Sequence, residues 1–466
     1  MSFETNFILD TDSYKFSHWL QYPPGTQRVF SYIESRGGEY EETVFFGLQY
    51  ILRKYFSKPI TMNDIQEADE FCEAHGVPFN KDGWVKIVQR YKGRLPLHIR
   101  AVPEGTVVPT HNILVSVENT DLDMFWLTSV IETMMVRLWY PINVATISRE
   151  CKKVMYKALV ESSENPDAAI DFMLHDFGSR GVSSRESAAI GGTAHLVNFK
   201  GSDTVVGVLC ANHYYNTLMA GFSIPAAEHS TTTSWGRENE TEAYRNMLRQ
   251  FAAPGKLVAV VSDSYDIYNA CANIWGGELR QEVIDSGATV VIRPDSGDPV
   301  TVVLKVLGIL AAKFGYRTND KGYKVLKYVK VIQGDGVNIG SISDILESAL
   351  AAGYSAENLA FGMGGALLQM HNRDTQRFAM KCSHIVCDGE SRDVYKKPIT
   401  DPGKDSKKGR LDLVKTDFGN FKTITLGDDE PVHKASEMKT VYLNGELYNV
   451  CSLEEVRELA KLPKMC

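Results

Sequence analysis

From about residue 170 the chain repeats one local pattern: a short apolar run, a polar or glycine-bearing turn, then helical periodicity. "KLVAVVSDS" leads into "YDIYNACANIW", "ATVVIRPDSGD" into "PVTVVLKVLGILAAKFG", and "YVKVIQGDGVN" into "IGSISDILESALAAGY". "AIDFMLHDFGSRG" before "VSSRESAAIGGTAHL", "HLVNFKGSD" before "TVVGVLCANHYY", and "NLAFGMGGALLQM" extend the series. Strand, turn and helix in alternation require parallel strands joined by helical crossovers, so the fold class is α/β. Nearly every run ends in a polar motif, which spreads chemistry around a ring of strand ends. An open doubly wound sheet gathers it at one crevice, and no GxGxxG opens the series. A barrel is therefore the expected architecture.

The pattern has limits on both sides. The first 140 or so residues mix strand and helix candidates such as "QRVFSYIES" and "TVFFGLQYILRKYF" without a repeat. "NILVSVEN" reads as a buried strand and "DMFWLTSVIETMMVRLWY" as a buried helix. After about 385 comes the loop-like "YKKPITDPGKDSKKGR", then short strand candidates and a final helix, "SLEEVRELAKL". The expected division is 1–145, a barrel over 146–385, and a tail over 386–466 that rejoins the N-terminal part as a second domain.

Composition narrows the function. A chain of 466 residues, 44% hydrophobic, is long enough for a large core. With 50 basic against 58 acidic residues the formal charge is -8, which excludes a generally nucleic-acid-binding surface but permits a local basic pocket. Eight cysteines without a CxxC pair or zinc-site spacing read as reduced thiols. Glu4, Asp10 and Asp12 stand where a signal peptide needs basic and then apolar residues. No apolar run is long enough to span a bilayer, so no membrane partner is expected and the cytoplasm is the expected location.

The strand-end motifs carry the chemistry. In "RPDSGDP", Arg293 offers a bidentate fork for phosphate or carboxylate, and Asp295 suits a cation or a sugar hydroxyl; the alternative is a surface turn with an internal ion pair. "QGDG", with Gly334 and Asp335, and "FGMGG", with Gly364 and Gly365, are glycine turns before helices whose amides can cradle phosphate, though glycine also simply permits a tight turn. Phe177 and Arg180 in "HDFGSRG" suit stacking of a planar ring and binding of an attached phosphate, against a core phenylalanine with an ordinary ion pair. Asp203 in "KGSDT" precedes a helix and is equally suited to capping it. Asp263 in "VSDSYD" is either a cap or one of several carboxylates around Mg2+. His229 in "AEHSTTTS" stands alone, with no second histidine at a metal-ligand spacing. Asp12, Tyr14 and Lys15 lie on an N-terminal arm that either decorates the surface or reaches a neighbouring subunit. Arg373, Lys381, Lys396, Lys404, Lys407, Lys408 and Arg410 give a local positive excess suited to polyphosphate, or else a solvated loop. This inventory points to a phosphorylated sugar or nucleotide at a barrel mouth and leaves the reaction open.

The reaction comes from a resemblance. "TDSYKFSHWLQYPPGT", "HDFGSRGVSSRESAAIGGTAHLVNFKGSDTV", "IPAAEHS", "VVSDSYDIYNACANIWG", "IRPDSGDP", "VIQGDGVNI", "FGMGGALLQ" and "DPGKDSKKGRL" resemble, in order, the nicotinamide phosphoribosyltransferase family. The resemblance implies an irregular type II phosphoribosyltransferase α/β barrel, with a second α+β domain formed from both chain ends. It also implies a homodimer with shared active sites and, in NAD salvage, conversion of nicotinamide and phosphoribosyl pyrophosphate to nicotinamide mononucleotide and pyrophosphate with Mg2+. By the same resemblance Phe177 and the partner's Tyr14 sandwich the pyridine ring, and Asp203 accepts from the carboxamide. Arg180, Arg293 and Asp295 surround ring, phosphates and ribose, while Asp12 and Ser223 join the substrate-binding set. Gly334, Asp335, Gly364 and Gly365 hold sugar and 5′-phosphate, with Arg373 and Lys381 lent by the partner. Lys396 and Lys404 meet pyrophosphate or ATP. His229 is the residue that ATP phosphorylates in the family, with Asp263 beside it. Two positions depart from the family: Ser179 replaces a tyrosine and Ala379 a serine, which is expected to touch binding and not chemistry.

Three other functions compete. A nicotinate-using sister enzyme would bring a substrate carboxylate against Asp203, which like-charge repulsion disfavours. A non-catalytic nucleotide-binding protein would be free to lose Arg293, Asp295, Asp335 or His229, all of which are present. A sugar-phosphate aldolase or isomerase would need a Schiff-base lysine or acid–base pair that no strand end offers.

Overall fold

The structure is a computed structural model that describes residues 6–400, 404–427 and 430–463. Glu4 and the start of "DPGKDSKKGRL" lie outside the described residues. The chain forms two compact units. One runs up to Thr146 and adds Tyr214–Asn216 and His371–Ala460; the other takes Ile147–His213 and Thr217–Met370.

The second unit holds the strand–turn–helix series. Its sheet has six parallel strands in the order Gly201–Ser202, Leu174–Asp176, Leu359–Met363, Val329–Gln333, Thr289–Arg293, Leu257–Val261. The two edges do not stay open. Residues 222–227 make isolated parallel bridges to both, Phe222 to Gly201 and Ala226 to Ala259, so the ring closes as an irregular barrel. Inside it Ala259, Val291 and Ile332 pack together, with Phe177, Ile224 and Ala360 against them.

The helices follow from their sequences. Pro299–Phe314 buries Val302, Val303, Val306, Leu307, Leu310 and Phe314, a 3.6-residue stripe that packs on Val329–Gln333 and on helix Ile339–Ala351. It starts with Pro299 at the first helical position, and the Asp298 carboxylate accepts from the Thr301 amide at 2.9 Å. Such a cap contributes about 1 kcal/mol.

The first unit is built on a seven-stranded antiparallel sheet, in the order Glu390–Asp393, Phe378–Cys387, Thr26–Ser35, Ile113–Asn119, Leu97–Ala101, Lys439–Leu443, Glu446–Leu447. Strands from both chain ends thus share one sheet. Among the described residues no helix is long and apolar enough to cross a membrane.

Four sequence expectations change. The barrel unit ends at Met370, not 385, because Phe378–Cys387 pairs antiparallel with Thr26–Ser35 in the other unit. Tyr214–Asn216 also leaves the barrel: the Tyr215 ring stacks on Phe46, with centroids 4.9 Å apart, and its hydroxyl donates to buried Glu104 at 2.8 Å. "HLVNFKGSD" yields only the two-residue strand Gly201–Ser202, since its apolar half completes the turn after helix Arg185–His195. In the N-terminal part, "DMFWLTSVIETMMVRLWY" is not one helix; it breaks into Leu127–Val130, Glu132–Val136 and the start of Trp139–Ser162.

Candidate active site

The barrel strands deliver their following residues to one end. Phe177 follows Asp176, Asp203 follows Ser202, and Asp263 stands just past Val261. Arg293 closes its strand with Asp295 beyond it; Gly334 and Asp335 follow Gln333, and Gly364 and Gly365 follow Met363. Ser223 sits in the segment that closes the ring, and His229 opens the short helix His229–Thr233 after it.

A cavity of about 420 Å³ runs inside the barrel, lined near this end by Phe177, Asp203, Ser223 and Ile224, and elsewhere by Lys330 and Glu357. The Phe177 ring lies so close to the neighbouring strand that a Cβ on Gly362 would stand 1.9 Å from it, so only glycine admits the ring there. The Arg293 guanidinium sits 5.4 Å from the Phe177 ring centroid. Asp203 does not cap the following helix: its carboxylate accepts from the Ser223 hydroxyl, and its amide donates to the Asp176 carbonyl at 3.0 Å. The Phe177 ring and the Asp203 carboxylate therefore line one cavity.

The second cluster centres on His229. Its Nε2 is 2.9 Å from Asp263 Oδ1, and its Nδ1 is 3.9 Å from Asp295 Oδ2. Asp263 Oδ2 accepts from the Asp295 amide at 3.1 Å and from the Ser296 hydroxyl. Burial opposes ionisation of Asp263, but the bonds from Ser296, His229 and the Asp295 amide outweigh it and hold the carboxyl below its ordinary range. An acceptor on Nε2 places the ring proton there and leaves Nδ1 with its lone pair. The hydroxylic run is spent locally: Thr231 Oγ1 accepts from the Glu228 amide, and Thr233 Oγ1 donates to the His229 carbonyl. Arg293 donates from Nε and Nη2 to Asp295 Oδ1 at 3.1 and 2.7 Å, and Gly334 leaves space for it, since a Cβ there would meet Nε at 3.0 Å. Gln333 Nε2 donates to the Asp335 carbonyl and fixes that turn. Arg180 and Ser179 are exposed in the 3-10 turn Ser179–Gly181.

The remaining candidates belong to the other unit. Asp12 anchors the arm, accepting from Thr133 Oγ1 at 2.6 Å, and Lys15 is buried in an ion pair with Glu132 at 2.6 Å. Between them Tyr14 is 61% exposed. Arg373 is exposed beside Asp374. Burial pushes the Lys381 ammonium down, and Arg36, Lys396 and Lys15 add to this against an opposing pull from Glu132. Lys15 and Arg36 are themselves paired, with Glu132 and Glu34, and Lys407 and Lys408 with Glu34 and Asp393. Lys404 is exposed, and Ala379 pairs with Glu34 across the sheet. Sequence reasoning missed Arg36, whose buried Nη2 has no hydrogen-bond partner; its position before "GG" after a long strand was the available signal. It also missed Ser296 and Asp176, which lie inside "RPDSGDP" and "HDFGSRG" beside the residues singled out there.

Comparison with known proteins decides the family. Residues 172–446 match the Nicotinate phosphoribosyltransferase (NAPRTase) family, and residues 6–99 match the nicotinamide phosphoribosyltransferase N-terminal domain. The chain belongs to the nicotinate phosphoribosyltransferase family. A nicotinamide phosphoribosyltransferase from Xanthomonas campestris pv. campestris is 55% identical over the full length of both chains. Another from Acinetobacter baylyi is 31% identical, covering 98% of this chain and 97% of that one. Among solved structures, nicotinate-nucleotide pyrophosphorylase from Pyrococcus furiosus superposes with a TM-score of 0.61 at 14% identity, over 99% of this chain and 96% of its own. Human nicotinic acid phosphoribosyltransferase gives 0.56 at 15%, over 97% and 92%. These two share the fold, an irregular barrel of the phosphoribosyltransferase kind.

Proposed function

We propose that the chain transfers the 5-phosphoribosyl group from phosphoribosyl pyrophosphate to nicotinamide, giving nicotinamide mononucleotide and pyrophosphate. The observation that carries this reading is Asp203, a carboxylate oriented by Ser223 in the cavity that also receives the Phe177 ring. A carboxylate accepts from the N–H of a carboxamide and repels a carboxylate in the same small space. Phe177 stacks the pyridine ring, and the ring nitrogen, already carrying a lone pair, attacks the anomeric carbon without a general base. Its bond to that carbon forms as the bond to pyrophosphate breaks. Holding the two in line is the larger part of the task. Arg293 grips phosphate with its fork, Gly334, Asp335, Gly364 and Gly365 receive the sugar phosphate, and Lys396 and Lys404 meet the leaving pyrophosphate.

Among the described residues no three His, Cys, Asp or Glu side chains gather as a metal site. The hard oxygens of Asp263 and Asp295 suit a Mg2+ held mainly by substrate phosphates and water. When bound, that ion neutralises charge on the departing pyrophosphate.

Turnover with nicotinamide and with nicotinate tests the assignment. Nicotinamide is expected to be preferred, and Asp203→Asn to narrow the ratio of the two kcat/KM values by about tenfold or more, since the like-charge penalty disappears. A wild-type preference for nicotinate overturns the reading.

The active form is proposed to be a homodimer in which Tyr14, Arg373 and Lys381 serve the partner's site. Val205, Leu209, Leu218 and Met219, which follow Asp203 in the chain, are 67%, 54%, 96% and 52% exposed, an apolar surface of the kind an interface covers. Mixing inactive Tyr14→Ala with inactive Asp203→Ala is expected to restore part of the activity, because some heterodimers regain one intact site. No recovery, with subunit exchange demonstrated, places both residues in one chain's pocket.

A further inference from the structure

Asp176 is a carboxyl to which the transfer scheme above gives no role. It ends the strand Leu174–Asp176, immediately before Phe177, and is fully buried. Taking a carboxyl out of water is costly unless its oxygens are matched, and Asp176 is only half matched. Oδ1 accepts from the Gly178 amide at 2.7 Å, while Oδ2 has no hydrogen-bond partner. The Thr204 hydroxyl is close enough to favour the charged form, yet its oxygen also lacks a hydrogen bond of ordinary geometry. Room for Oδ2 comes from Gly192, where a Cβ would stand 3.3 Å away. Burial pushes the carboxyl up to about 6, opposed by the Gly178 amide bond and by the nearby Thr204 hydroxyl.

What this buried group holds is more informative than what it lacks. A side-chain oxygen bonded to the amide two residues on makes an Asx turn, which bends the chain sharply across the residue between. That residue is Phe177. Its own amide donates to the Met363 carbonyl at 3.0 Å, and its ring is pressed against Gly362. The Asp176 main-chain carbonyl meanwhile accepts from the Asp203 amide at 3.0 Å. One residue therefore touches both sides of the base pocket, the turn that aims the ring and the strand end that presents the acceptor.

We propose that Asp176 is a positioning residue for the base pocket, its side chain fixing the turn that aims Phe177 while its carbonyl registers Asp203. This rests on the reading that nicotinamide binds between those two residues. The role needs a short acceptor at Oδ1 and no charge, so asparagine fulfils it and alanine does not.

The test compares Asp176→Ala and Asp176→Asn with wild type, each checked for a cooperative thermal transition, with KM measured for both substrates. Alanine is expected to raise the nicotinamide KM about tenfold or more while leaving the phosphoribosyl pyrophosphate KM within about twofold, as misplacement of one binding group predicts. Asparagine is expected to restore the nicotinamide KM. An alanine variant with unchanged nicotinamide KM, or one in which both KM values rise together, overturns the proposal. So does an asparagine variant as impaired as alanine. Should alanine fail to fold, Asp176→Ser replaces it. Its weaker acceptor is expected to give an intermediate rise, and no rise overturns the proposal. Phe177→Ala is the control: if it too leaves the nicotinamide KM unchanged, the pocket assignment itself has failed and the proposal falls with it.

Discussion

Arg293→Ala is expected to lower kcat/KM by about 10²–10³-fold, the scale seen when one preorganised stabiliser of developing charge is removed. Three contacts make this side chain hard to replace. Its Nε and Nη2 both donate to Asp295 Oδ1, its guanidinium lies over Phe177, and Gly334 leaves the space it occupies. Alanine removes the phosphate fork and also strands Asp295 without its cation. Asp295 then stands with Asp263, to which its amide donates at 3.1 Å and which shares the His229 ring with it, on the path proposed for a polyanionic substrate. The loss is expected in kcat and in the affinity for phosphoribosyl pyrophosphate together. Arg293→Lys keeps the charge without the fork and is expected to recover only part of the activity. Steady-state kinetics on both variants check this, and a loss below about tenfold in the alanine variant removes Arg293 from the proposed machinery.

The second large effect concerns His229 and ATP. We propose that ATP phosphorylates His229: with Nε2 on Asp263, Nδ1 attacks the γ-phosphate and displaces ADP as the N–P bond forms. The phosphoryl group adds about two negative charges beside carboxylates that already await a polyanion. That is workable only where a divalent ion and Arg293 offset the charge. ATP is therefore expected to stimulate turnover without being a stoichiometric reactant. In His229→Ala the stimulation is expected to vanish while slow product formation remains. Apparent affinity is expected to fall more for phosphoribosyl pyrophosphate than for nicotinamide, whose proposed contacts are Phe177, Asp203 and Tyr14 of the partner subunit. Following labelled γ-phosphate into both proteins, alongside turnover with and without ATP, decides it. Full ATP stimulation in the alanine variant means that the histidine is not the switch.

How far these side chains could be read without coordinates differs from one to the next. Arg293 and Asp295 were legible because "TVVIR" is a complete apolar strand, so its polar end had to lie at a strand terminus. Gly334 and Asp335 were legible for the same reason. Asp203 was not resolved: a carboxylate before a helix is ambiguous until Ser223, twenty residues on, is seen to bond it. The "GFSIPAAEHS" segment gave no strand signal, since its few apolar residues are interrupted by Ser223 and Pro225, yet it closes the barrel. The unit boundary was misplaced because Phe378–Cys387 is as apolar as a barrel strand, and only its antiparallel partner reveals its sheet. Asp176 was not legible because its burial and its carbonyl bond to the Asp203 amide depend on a strand distant in sequence, which local patterning does not reveal.

The manner of closure has a dynamic consequence. Among the described residues, segment 222–227 is tied to its two neighbours by four backbone hydrogen bonds, Phe222 with Lys200 and Ser202 on one side, Pro225 and Ala227 with Ala259 on the other. The Thr289–Arg293 strand, by contrast, is laddered to partners along both edges. A swing of this seam thus breaks fewer backbone bonds than displacing the Thr289–Arg293 strand would. Ser223 rides on the seam and His229 stands just beyond it. In the proposed reading a base that bridges Asp203 and Ser223 is expected to still the backbone leading to His229, linking base and histidine through the amplitude of the seam's motion and not through a rearrangement of the barrel.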